Sequence, residues 1–223
     1  MTAARAARLI AVIAIVLTGC AAEQSAPKPV SAEAVAAAAE LNSWWSQQAP
    51  SLSFAFTPVP AERLSNGADG LTCNGVKVKR KEVADNAFVD ADCDEGVLVA
   101  FDPDYVGTSP LRLRLTFAHE WGHVVQAQAP DIDASAAGRP ILAELQADCF
   151  AGAWAQQGLA KSDLAAARDD VGETGDFDDV AIEDDDAHGF PQERIAAFDL
   201  GYGGGVGICL RPALERLVDS GGG

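Results

Sequence analysis

His119-Glu120-Trp121-Gly122-His123 holds two histidines and a glutamate at a spacing suited to one metal ion. On a helix, positions four apart lie one turn apart on the same face. Both imidazoles could then reach one ion, at about 2.0–2.1 Å for zinc. Glu120 sits one step round the helix, placed to touch a water at the metal rather than the metal itself. The plainer alternative is a pair of core histidines satisfied by nearby carbonyls.

A second constellation follows. Glu144 and Asp148 are also four apart and share a helix face. Their neighbours Ile141, Leu142, Leu145, Phe150 and Trp154 are apolar, so two carboxylates there need a cation or donors. Glu144 could ligate a metal, and Asp148 could accept the free ring N–H of a ligating histidine. The other reading is a solvated acidic edge. His188 is the only histidine outside the motif. It could donate to an oxyanion, replace Glu144 as third ligand, or be a surface residue without a role.

These residues need helices to position them. Ser109 can cap a helix with Pro110 at its first position, and Ala129-Pro130-Asp131 marks the stop. Apolar residues surround most of this helix, leaving Thr116, His119, His123 and Gln126 in one polar stripe. After a loop over 130–139, the carboxylates fall on a second helix from about Pro140 to Gln157. Upstream, Ser31 caps a helix reaching Gln48. Its Trp44 and Trp45 read as packing residues, with substrate contact as the alternative. Turn signals at 66–75 precede short strands near 76–78, 87–89 and 97–101, one of which could line a cleft. Residues 169–186 carry ten acidic and no basic residues, which reads as a solvated loop, a calcium site or a lid. A helix from Pro191 to Leu200, stopped by Gly201, and a short helix from Arg211 to Asp219 close the chain.

The 223 residues, 48% hydrophobic, suffice for one domain, expected over 31–223. A net charge of −17 argues against nucleic acid as a partner. Arg5, Arg8 and the apolar run 9–17 read as an export signal over 1–19. It ends in Leu17-Thr18-Gly19-Cys20, which resembles a bacterial lipoprotein lipobox. Cys20 would carry the lipid, and 20–30 would form a lipidated flexible tether on the extracytoplasmic face of the cell membrane. Removing Cys20 leaves Cys73, Cys93, Cys149 and Cys209, which allow three pairings. Cys73–Cys93 with Cys149–Cys209 is the most local of them, and an extracytoplasmic compartment permits such bonds.

Together, the H-E-W-G-H helix, Glu144-Leu-Gln-Ala-Asp148-Cys-Phe-Ala-Gly and His188-Gly189 before Arg194 resemble a bacterial family of neutral zinc metallopeptidases. The resemblance spans about residues 70–210. It implies an α+β, zincin-like fold, mainly helical, with a small sheet before the motif helix. It also implies zinc held by His119, His123 and Glu144, Glu120 as catalytic base, and Asp148 behind a histidine ligand. Val124 and Glu193 stand where such proteins commonly have histidine and glutamine. The expected function is zinc-dependent hydrolysis of peptide or protein substrates. The rival class is a non-catalytic zinc-binding envelope lipoprotein that binds a protein partner.

Overall fold

The computed structural model describes residues 29–134, 139–176 and 187–221. The export signal, Cys20 and most of the tether lie outside them. Ser31 accepts the Ala34 N–H and caps α1 (Ala32–Gln48). One face of α1 buries Ala34, Ala37, Ala38, Leu41, Trp44 and Trp45. The Trp45 ring meets Phe150 edge-on at 5.0 Å, so this tryptophan pair is core rather than cleft.

Five short strands follow: β1 (Leu64–Ser65), β2 (Thr72–Cys73), β3 (Val76–Lys77), β4 (Ala87–Asp90) and β5 (Leu98–Phe101). β2 and β3 form a hairpin, whereas β5 is central to a sheet ordered β1-β5-β4. β1 runs parallel to β5 and β4 antiparallel to it. The run Leu98–Phe101 is wholly buried, which explains its unbroken apolar sequence. The three strands read from sequence are present within a residue or two, while β1 and β2 are additions of two residues each.

Asp102 caps a single turn, α2 (Pro103–Val106), by accepting the Asp104 N–H. Ser109 caps α3 (Pro110–Gln128) by accepting the Arg112 N–H. Trp121 of α3 is fully buried, and its indole N–H donates to Asn42 Oδ1 of α1 at 3.0 Å. α4 (Ile141–Gly158) is buried along most of its length and packs on α3. Gly122 lets these helices touch, since a Cβ there would stand 2.6 Å from Ala147 Cα.

The acidic stretch is not all loop. α5 (Leu164–Glu173) carries its first part, and Arg112 of α3 ties Asp170 and Glu173 to it, each at 2.6 Å. Residues 177–186, where a lid or calcium site was open, lie outside the described chain. α6 (Pro191–Gly204) runs past Gly201, which does not stop it. A Cβ at Gly201 would overlap the Cys149 carbonyl, and one at Gly152 the Phe198 carbonyl. These glycines bring α4 and α6 into backbone contact. α7 (Arg211–Gly221) follows. The result is α+β, mainly helical with a small mixed sheet. Both cysteine pairs are the local ones: Cys73–Cys93 and Cys149–Cys209.

Candidate metal centre

α3 presents His119 and His123 on one face, and α4 lays Glu144 against them. The two Nε2 atoms are 3.1 Å apart. Glu144 Oε2 is 3.2 Å from His119 Nε2, and Oε1 is 3.3 Å from His123 Nε2. Ligand atoms set tetrahedrally at about 2.0 Å from one ion stand about 3.3 Å from one another. The spacing therefore fits a single small cation. Two imidazoles and a carboxylate are a donor set that zinc accepts, although other divalent metals accept it too. Among the described residues, these three form a group that could hold an ion. Cys73, Asp90 and Cys93 also come together, but their sulfurs are joined in a disulfide.

His119 is oriented from behind. Its Nδ1 lies 2.8 Å from Asp148 Oδ1. Arg194 of α6 grips Asp148 with two donors, Nε to Oδ2 and Nη2 to Oδ1, both at 2.8 Å. Arg194 Nη1 also donates to the Thr174 carbonyl at 2.7 Å and to its hydroxyl at 2.8 Å. Burial pushes the Asp148 carboxyl up, but Arg194 and His119 more than offset this and hold it below its usual value. Glu144 follows the same pattern: burial raises it, yet His123 and His119 hold it well below the usual carboxylate range. An ionised Asp148 accepting from Nδ1–H turns Nε2 of His119 towards the ligand group, where it offers a lone pair once the Nε2 proton is displaced. His123 Nδ1 is likewise engaged, 2.8 Å from Gln126 Oε1.

Glu120 is 4% exposed and lines the same cavity as the histidines. Burial pushes its carboxyl up, and its Oε2 has no hydrogen-bond partner among the described residues. A carboxyl kept from water beside a cation site is suited to exchanging a proton there. The cavity measures about 650 Å³. Ala87, Phe88 and Val89 of β4 form one wall, with Tyr105, Thr174 and His188 further round.

His188 lies outside the group of His119, His123 and Glu144, whose ligand atoms come together. Its side chain is half-exposed, and its Nδ1 is 3.6 Å from Asp176 Oδ1. Asp176 Oδ2 accepts the backbone N–H groups of His188 and Gly189 at 2.5 and 2.8 Å. Glu193 accepts the Phe190 N–H at 3.0 Å, capping α6, a task glutamine performs equally. Val124 is fully buried on the side of α3 facing the core.

Sequence reasoning missed two supports. Gln126 was visible in the polar stripe, three residues from His123, but received no role. Arg194 was visible only as part of a block. Its partnership with Asp148 requires two helices to meet across 46 residues of chain. Searches against models of known families, curated proteins and solved structures found no match to this chain.

Proposed function

We propose that this protein is a zinc-dependent peptidase, held on the outer side of a bacterial membrane by a lipid on Cys20. One observation carries the reading. Two histidines and a glutamate converge at tetrahedral spacing, with the buried Glu120 in the same cavity. Three protein ligands leave a position open, as hydrolytic zinc sites do, whereas structural zinc normally has four. A long helix carrying H-E-x-x-H, a glutamate ligand on a following helix and a small sheet beside the cleft support a zincin-like assignment.

His119, His123 and Glu144 would hold the metal. When bound, zinc supplies Lewis acidity towards the scissile carbonyl and makes water nucleophilic near neutral pH. Glu120 takes the proton from the attacking water and returns it to the leaving amine. His188, at the cavity wall, donates to the carbonyl oxygen as negative charge develops there. Peptide, rather than another amide, is preferred from the motif resemblance.

The test is incubation of the zinc-loaded full chain with a diverse peptide library, with products read by mass spectrometry. Cleavage is expected from the parent and not from Glu120→Gln, which should retain zinc. Glu144→Ala should bind zinc more weakly. No cleavage by a zinc-loaded parent would move the assignment to a binding lipoprotein. Lipidation has its own check: the intact mass of membrane-extracted protein should carry acyl chains on a mature Cys20, and a plain polypeptide mass would remove the anchor.

A further inference from the structure

Behind Gln126 the hydrogen bonds continue. Its amide nitrogen donates to the Ala143 carbonyl at 2.7 Å and to Gln146 Oε1 at 3.1 Å. Gln146 Oε1 also accepts the Ala134 N–H at 3.1 Å. The Gln146 amide nitrogen donates to the carbonyls of Ile132 at 2.8 Å and Cys209 at 2.9 Å. Gln146 is 0% exposed, so water does not compete for these bonds.

Each amide has one workable orientation. Backbone carbonyls only accept, so Gln146 must turn its NH2 to Ile132 and Cys209 and its oxygen to Ala134 and Gln126. Gln126 must then present NH2 to that oxygen and to the Ala143 carbonyl. Its own Oε1 is left facing the ring of His123. An oxygen there calls for a proton on Nδ1, which leaves Nε2 with the lone pair. Reversing Gln146 would set its oxygen against two carbonyls and its NH2 against the Ala134 N–H, leaving buried groups unsatisfied.

We propose that Gln146 is a positioning residue for the metal ligand His123. Through Gln126 it transmits the direction of the Ile132 and Cys209 carbonyls, fixing the ring's proton on Nδ1 and its lone pair on Nε2. The inference rests on the metal-site reading but not on peptidase activity. The two histidines are thus oriented by different chemistry. His119 has a carboxylate behind it, itself neutralised by Arg194. His123 has an uncharged relay. Glu120, Glu144 and Asp148 already bring three carboxylates to this region, and the amides orient the second ring without adding a fourth.

The experiment measures zinc affinity of the detergent-extracted full chain by chelator competition, for the parent, Gln126→Leu, Gln146→Leu and the double variant. Thermal unfolding of each metal-free protein reports whether it is folded. Loss of an outer partner of a metal-bound histidine typically weakens affinity by about 10–100-fold. Both single variants should fall in that range, although Gln146 does not touch the histidine. The double variant should bind no more weakly than Gln126→Leu, because links in series fail together. Parent-like affinity in Gln146→Leu, or losses that multiply in the double variant, overturn the relay. If Gln146→Leu does not fold, ¹⁵N spectra of the metal-free parent, at a pH high enough to leave the ring neutral, decide. They must show His123 protonated at Nδ1, and a ring protonated at Nε2 overturns the proposal. A parent that binds zinc no better than Glu144→Ala overturns the metal site itself, and the relay with it.

Discussion

In the metal-free chain His119 holds a proton that a cation must displace. Burial opposes a charge on its ring, but Asp148 at Nδ1 and Glu144 at Nε2 more than offset this and push its pKa up to about 10. His123 is raised too, with burial opposing and Glu144 favouring the charge. An ordinary histidine stops competing with metal above about pH 6.5. Here competition persists to about 10. Zinc affinity should therefore rise about tenfold per pH unit from 7 to 9, as the Nε2 proton is lost more readily. The metal-free fold should show the opposite trend. A histidine with its folded pKa above its unfolded one stabilises fully below the unfolded value of about 6.5. That stability is lost as pH rises through the folded value of about 10. Chelator competition and thermal unfolding across this range check both signs, and an affinity flat above pH 7 would contradict the assignment. The residues behind this behaviour were legible because four-residue spacing on two helices states which faces they share. Gln126 and Gln146 were not, since an uncharged amide on a helix carries no mark of what lies opposite it.

At the scale of elements, the site depends on how closely α4 can approach its neighbours. Arg194 reaches Asp148 because Gly152 and Gly201 let α4 and α6 meet backbone to backbone. Gly152→Ala and Gly201→Ala should each cost about 3 kcal/mol, the upper end for overpacking, because the obstruction is main chain rather than a movable side chain. Gly203 has nothing within 4 Å of an added Cβ. Gly203→Ala should be neutral or stabilising by up to about 1 kcal/mol through helix propensity. Urea unfolding of the three variants separates these outcomes, and equal effects would show that contact is not what the glycines serve. The same glycines explain where sequence reading went astray. Locally, Gly201 carries the mark of a helix stop. Only the facing Cys149 carbonyl shows it to be a contact point inside α6. α5 was hidden for another reason. The acidic composition suggested solvation, whereas Asp170 and Glu173, one turn apart, share the single Arg112. Caps were more transparent: Ser31 and Ser109 act on N–H groups within three residues of themselves.

Across the whole molecule, the two disulfides brace different regions. Cys73–Cys93 closes a separation of 20 residues around the β2–β3 hairpin and a small cluster with Val78, Val83 and Leu98. Cys149–Cys209 spans 60 residues and ties α4 to the segment before α7. In chain-entropy terms the first is worth about 3 kcal/mol and the second about 4 kcal/mol. Stability alone therefore ranks them nearly equal, but their positions do not. Cys149 follows Asp148, which orients His119, and the Cys209 carbonyl accepts from Gln146, which stands behind Gln126 and His123. The cysteines of the hairpin bond touch neither histidine support. Replacing Cys149 and Cys209 together by serine should lower both unfolding free energy and zinc affinity. The same change at Cys73 and Cys93 should lower stability by a similar amount and leave affinity near the parent's. Urea unfolding paired with chelator competition, at a temperature where all forms stay folded, makes the comparison. Equal losses of affinity would mean that zinc binding follows global stability. A loss confined to the Cys149–Cys209 variant would mean that this bond holds the geometry behind both histidines.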